Sequence, residues 1–173
     1  MGMITEQLTP TERQLLLYGE EILRSPGMQK EHDYIQHGRI TVFEHSLGVA
    51  YMSLRIARRL KLHVDERALI RGALLHDYFL YDWHIKEDYH RWHGFCHPEI
   101  ALRNAGEDFE LGEIEQDIIG KHMFPLTFRS VPRFRESMLV CLVDKLCACL
   151  EIISLSYINE RIKYAAGCRL NQG

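Results

Sequence analysis

His76 and Asp77 stand side by side at the end of the apolar run Ala73-Leu74-Leu75, and such a pair can grip one divalent cation from adjacent backbone positions. Imidazole nitrogen and carboxylate oxygen are natural donors for zinc, iron, manganese and nickel, and oxygen donors suit magnesium. Further donors of the same kinds lie along the chain: His45 upstream, then His93, His97, His122 and Asp144 downstream. Asp144 sits between Val143 and Lys145 in strongly apolar sequence. A buried carboxylate there is costly unless a cation, or a buried lysine or arginine, compensates it. His45, His76, Asp77 and Asp144 could bind one metal with positions left for water. Asp77 has two carboxylate oxygens, so it could bridge to a second ion held by His97 and His122. Two ions roughly 3.5–4 Å apart are the usual arrangement for phosphoester cleavage, one polarising a phosphoryl oxygen while a shared water becomes acidic enough to attack. Blander roles stay open: His45 could merely sit at a helix start, His97 could cap the helix at Pro98, and His122 could simply end one. His93 is close enough to His97 to replace it. His32, His37, His63, His84 and His90 read as solvated.

Helices must position these donors, because strand alternation is scarce. Thr9-Pro10-Thr11-Glu12 carries a cap residue, a first-turn proline and a reciprocating glutamate, and opens a helix to about Arg24. Ser25-Pro26-Gly27 stops it, and a short helix over Met28 to Gln36 is expected, ended by His37-Gly38. Thr41-Val42-Phe43-Glu44 is a second capping box, opening a long helix through Arg59 with His45 on its apolar stripe. Asp65 caps a helix from Glu66 to about Asp77. Pro98 is expected at the first turn of a helix that closes near Gly106. Helical spacing of apolar residues covers Leu111 to His122, and a last long helix runs from about Arg135 to Ser154, with a short one after Asn159. Between two donor-bearing helices, Tyr78 to Phe95 is rich in aromatics and histidine. Trp83, Tyr89 and Trp92 could stack on a nucleobase there, or pack the segment onto the body. Phe124 and Phe128 pose the same choice.

The 173 residues suit one all-α domain, a helical bundle with a central metal site. Its expected core is 41–155, with helices from 9–37 and a short C-terminal helix and tail packed on it. A net charge of -3 gives no strong signal for nucleic acid or an anionic membrane. The five cysteines are odd in number and lack a C-x-x-C pair, so they read as reduced and mostly buried, as suits a cytoplasmic protein. The start Met1-Gly2-Met3-Ile4-Thr5-Glu6 lacks a signal-peptide pattern. Met138 to Ile158 is too polar to span a membrane, being interrupted by Asp144, Lys145 and Glu151. Apolar faces beyond one domain's needs would favour a homodimer.

The ordered motifs Glu44-His45-Ser46-Leu47, Gly72-Ala73-Leu74-Leu75-His76-Asp77, His97-Pro98-Glu99-Ile100-Ala101, Gly120-Lys121-His122 and Val143-Asp144-Lys145 resemble the HD-domain superfamily of metal-dependent phosphohydrolases. The likeness covers roughly Thr41 to Glu151 and is closest to small single-domain bacterial members. It implies a helical bundle whose first ion is held by His45, His76, Asp77 and Asp144. In two-ion branches the residues matching His97 and His122 hold the second, bridged by Asp77. The implied activity is hydrolysis of a phosphate ester of a nucleotide or similar small phosphorylated metabolite, with metal-activated water as nucleophile. The implied cofactor is one or two divalent ions (Fe, Mn, Zn, Ni or Mg). Many relatives place a lysine three residues after the aspartate, where this chain has Leu80. Phosphate contact must then come from Arg91, Lys121, Arg129, Arg133 or Lys145. Lys121 and Lys145 adjoin proposed ligands and are the better choices, although solvated surface charge is an equal reading. The same departure keeps open a non-catalytic, metal-containing nucleotide-binding or signalling module.

Overall fold

Local chemistry sets most element boundaries. In a computed structural model the described residues are 8–82, 93–153, 158 and 160–167, without the side chains of 93, 160 and 161. Thr9 accepts a hydrogen bond from the Glu12 amide while Glu12 accepts from the Thr9 amide, and this capping box opens α1 (Pro10–Leu23). Ser25 caps α2 (Pro26–Lys30). The equivalent box between Thr41 and Glu44 opens α3 (Val42–Arg59), and Asp65 caps α4 (Glu66–Leu75). Then follow α5 (His93–Asp108), α6 (Glu113–Lys121), α7 (Arg135–Ile152) and α8 (Glu160–Ala166). Helices therefore dominate the described residues, as the sequence predicts.

Two boundaries differ from expectation. The helix expected over Met28 to Gln36 ends at Lys30 and gives way to a 3-10 turn, Glu31–Asp33, and a small antiparallel hairpin. Its strands are β1 (Ile35–His37) and β2 (Ile40–Thr41). Ile35, Ile40 and Thr41 are β-branched, and Gly38 at φ 59° takes the turn position that glycine favours between paired strands. The second difference is in α5, which begins at His93 rather than Pro98 and runs on to Asp108. Pro98 thus lies inside the helix, where it leaves the Gly94 carbonyl without its usual intrahelical donor. His97 is consequently a helical residue and not a cap.

The bundle is built around α4, in which every residue from Ala68 to Leu75 is buried. A helix with no solvent face must be covered on all sides, and α1, α3, α6 and α7 pack against it. One apolar cluster joins Leu15 and Ile22 of α1, Leu47 and Leu54 of α3, Leu69, Ile70, Leu74 and Leu75 of α4, Ile118 of α6, Val140 and Val143 of α7, and Ile162 of α8. Arg71 of α4 ties this core to α6 through a 2.6 Å pair with Glu115, both buried, and reaches Glu21 of α1 at 2.7 Å. Among the described residues no helix is long and apolar enough to cross a membrane. Four described cysteines are free thiols; Cys141 and Cys147 are buried, whereas Cys96 and Cys149 are exposed, and Cys168 lies outside the described residues.

Candidate metal centre

Five helices deliver donors to one place. His45 lies in the first turn of α3, His76 caps the C-terminus of α4 with Asp77 next to it, and His97 lies on α5. His122 caps α6, and Asp144 is in the middle of α7. The α4–α6 seam is tight because Gly72 has no side chain: a Cβ there would stand 2.6 Å from Ile118 Cδ1 and 3.0 Å from its Cβ. That seam sets the His76 and His122 rings edge to face at 4.9 Å.

Helix ends also orient the imidazoles. The last carbonyls of a helix lack intrahelical donors. His76 Nδ1 donates to Ala73 O at 2.8 Å, and His122 Nδ1 donates to Ile119 O at 2.9 Å. A carbonyl only accepts, so the proton sits on Nδ1 and the Nε2 lone pair faces the centre, unpartnered in His76 and directed at His97 Nε2, 2.7 Å away, in His122. His45 is held differently, by Glu151 of the last turn of α7, whose carboxylate oxygens stand 2.9 and 3.1 Å from Nδ1.

The donors fall into two trios, each with its atoms within 4.8 Å of one another: His45, His76 and Asp144, and Asp77, His97 and His122. Asp77 faces both. Its Oδ2 is 3.4 Å from His76 Nε2 and 3.8 Å from His45 Nε2. Its Oδ1 is 3.2 Å from His97 Nε2 and 3.5 Å from His122 Nε2. In the first trio, Asp144 Oδ1 is 3.1 Å from His45 Nε2 and 3.6 Å from His76 Nε2. The structure therefore brings His45, His76, Asp77, His97, His122 and Asp144 together. Among the six donors the side chains of Asp144 (12%) and His97 (6%) keep the most exposure.

Electrostatics follow from crowding and burial. Burial would push His45 down, but its hydrogen bonds to Asp144 and Glu151 prevail and hold it well above the ordinary imidazole value. Burial likewise opposes His76, whose rise comes from the Asp77 charge and then Asp144. Burial would raise Asp77, yet His76 first, and then His97, hold it well below the usual carboxylate range. Asp144 is low because His45 and His76 overcome its burial. His122 is driven the other way, to about 3, by burial and then by repulsion from His97 and His76.

The donor set fits a divalent cation. His76 Nε2 and Asp77 Oδ1 are buried without a hydrogen-bond partner. Leaving such groups unpaired is costly, on the order of 1–3 kcal/mol each, and a cation would satisfy both. The absence of any cysteine among the donors argues against a closed structural zinc site.

The proposed phosphate contacts are otherwise engaged. Lys145 Nζ donates to His122 O at 2.8 Å and to Cys141 O at 3.1 Å. Lys121 pairs with Asp117 at 2.5 Å. Arg129 and Arg133 lie over the rings of Phe128 and Phe134, each at 5.4 Å. Phe128 is exposed. Arg91, Trp83, Tyr89, Trp92, His84, His90 and the His93 side chain fall outside the described residues.

Sequence reasoning missed Gln36, His37 and Glu151. Gln36 Nε2 donates to Asp77 Oδ2 at 2.6 Å. His37, expected to be solvated, is half-buried and edge-on to His45 at 5.6 Å, and burial, then His45, depress it. It forms a third possible donor trio with His45 and Glu151. His32 is also not freely solvated, since it stacks on Phe43 at 4.0 Å. Glu151 was findable: it lies two turns after Asp144 and so shares that face of the helix. Gln36 and His37 had no such signal, because the sequence reads Gln36 as the end of a helix and His37 as its stop rather than as a strand.

A family model for the HD domain matches residues 42–149. No curated protein and no solved structure matches the chain. HD domains bind divalent metals, and the superfamily consists generally of metal-dependent phosphohydrolases. The matched stretch covers more than half of the sequence and contains all six converging donors, so this chain belongs to the HD-domain family.

Proposed function

We propose that the protein is a two-metal phosphohydrolase that cleaves a phosphate ester of a nucleotide or a similar small phosphorylated metabolite. The observation that carries this reading is Asp77, whose two oxygens face separate donor trios. His45, His76, Asp144 and Asp77 Oδ2 would hold one ion; His97, His122 and Asp77 Oδ1 would hold the other. When bound, the pair would supply Lewis acidity toward the phosphoryl oxygen and the attacking water. The chain's part is preorganisation. Backbone carbonyls lock the tautomers of His76 and His122. Lys145 steadies the α6 terminus through His122 O, and would touch phosphate only by leaving that carbonyl. The same holds for Lys121 and Asp117. No serine or cysteine nucleophile is needed, because water attacks phosphorus, the ester P–O bond breaks, and the alcohol leaves with a proton. Free thiols at Cys96, Cys141, Cys147 and Cys149 suit a reducing, cytoplasmic setting.

One observation favours a second reading, the non-catalytic metal-containing module. Leu80 occupies the position of the expected lysine, at φ 61°, and the neighbouring lysines are engaged. Phosphate release from a panel of nucleotides and phosphoesters, with metal supplied, separates the two. Turnover that disappears in His76→Ala and Asp77→Ala supports the hydrolase. Nucleotide bound tightly but recovered intact supports the module, and undiminished turnover in both variants removes the metal mechanism.

A further inference from the structure

The helix α7 is apolar on more sides than the bundle covers. Its inward side carries Leu139, Val140, Val143 and Cys147, and also its three carboxylates, Glu136, Asp144 and Glu151, all buried. Its outward side carries Met138, Leu142, Leu146, Cys149 and Ile153, all exposed, with Leu142 at 61% and Ile153 at 62%. Steps of four, four, three and four residues put these five on one stripe running the length of the helix. A helix that is hydrophobic all round belongs in an interior. The stripe begins with the exposed Arg135. Lys145, at its edge, is folded back onto His122 O and Cys141 O. No acidic side chain of α7 lies on this face, because all three point inward.

We propose that this stripe is the interface of a two-fold homodimer in which two copies of α7 pack antiparallel across Leu142 and Leu146. Charge at the helix ends selects the occupant. Arg135 sits at the end where the helix dipole disfavours a cation, and the last turn has no basic residue to meet the dipole's negative end. An antiparallel second copy corrects both, setting each Arg135 beside the C-terminus of the other helix. A two-fold interface must also be self-complementary. An axis at the level of Asp144, midway along α7, exchanges Leu142 with Leu146 and Arg135 with Ile153, so apolar surface meets apolar surface except at the two ends. The helix is ~27 Å long. The segment before it adds exposed apolar side chains at Leu126, Phe128 and Val131, and is tied to α7 where Cys141 Sγ donates to Phe124 O. Together these approach the surface that a stable pair covers, about 800 Å² per partner. The pairing is independent of the metal reading, since Asp144 faces away from it.

The test is sedimentation equilibrium of the full-length chain, from well below to well above micromolar concentration. Reductant keeps Cys149 from forming a disulfide, and circular dichroism verifies folding. The wild type should follow a monomer–dimer equilibrium. Leu142→Glu should weaken the dimer by at least about 100-fold, because each substitution enters twice across the axis. Leu146→Glu should do the same; both side chains face solvent in the single chain, and either variant decides the matter if the other does not fold. Arg135→Ala should weaken the dimer by roughly threefold to tenfold. Leu60→Glu, at an equally exposed leucine on the end of α3, should leave the equilibrium unchanged. A monomer at every concentration overturns the proposal, whether the stripe is covered by another part of the chain or kept for a different partner. A dimer that both glutamate variants leave intact overturns it too. Strengthening by Arg135→Ala would mean that like ends meet, and overturns the antiparallel packing.

Discussion

Replacing Gly72 by alanine should loosen the seam on which the centre depends. An alanine Cβ would sit 2.6 Å from Ile118 Cδ1, 3.0 Å from its Cβ and 3.2 Å from its Cγ2. The Cδ1 atom can swing aside, but Cβ is fixed by the backbone and Cγ2 by the one favoured χ1 rotamer of a helical isoleucine. Ile118 is fully buried, so relief requires α6 to move as a body. Overpacking of this kind costs about 1–3 kcal/mol, and the hard contacts place Gly72→Ala in the upper half of that range. Alanine offsets about 1 kcal/mol through its better helix propensity. The net expectation is a loss of about 1–2 kcal/mol, read as a lower urea midpoint at unchanged slope. A double-mutant cycle with Ile118→Val sharpens it. Deleting Cδ1 should cost about 0.5–1.5 kcal/mol in the wild type and clearly less in Gly72→Ala, where that atom is the worst offender. The stabilisation conferred by added divalent ion should also shrink in Gly72→Ala, since His122 is one turn beyond Ile118. The reasoning fails if Gly72→Ala is stabilised by the full propensity gain, or if Ile118→Val costs the same in both backgrounds.

Three further outcomes are expected. His45, held above its ordinary value, contributes stability to the metal-free protein that is fully present below about pH 6.5 and lost as pH rises through its folded value. An ion needs His45 neutral, so the rise in melting temperature on adding Mn(II) should grow from pH 6 to pH 8. On the acid side, His122 stays unprotonated down to about pH 3 while the unfolded chain takes up a proton. Stability should therefore fall as pH drops through that window, and further as Asp77 is protonated. Arg71→Met should destabilise by roughly 3–5 kcal/mol in urea unfolding, because it leaves the buried Glu115 carboxylate without its cation. A change under about 1 kcal/mol would mean that Glu115 relies on the Gly112 amide alone.

Legibility of the sequence followed the range of the interactions. Capping boxes at Thr9 and Thr41 are local, and both helices start where the sequence places them. The six converging donors were legible because each sits at a helix end or on an inward stripe next to apolar residues. The hairpin at Ile35 to Thr41 was not legible. Its strands are short, and its register is set partly by the Val42 amide bonding back to Tyr34 O and by burial against α3. Pro98 misled the reading of α5, because proline as a helix start is a local preference that tertiary packing overrode. Gln36, which acts on Asp77 across 41 positions, carries no spacing signal at all.

Two of the converging histidines also cap helix C-termini, and that has a consequence beyond ligand geometry. Peptide dipoles along α4 and α6 sum toward their C-termini, where each helix presents roughly half a unit of negative charge. The two termini meet where the His76 and His122 rings touch, 4.9 Å apart. The backbone thereby lends the pocket an attraction for cations that no side-chain substitution removes and that appears in no count of acidic residues.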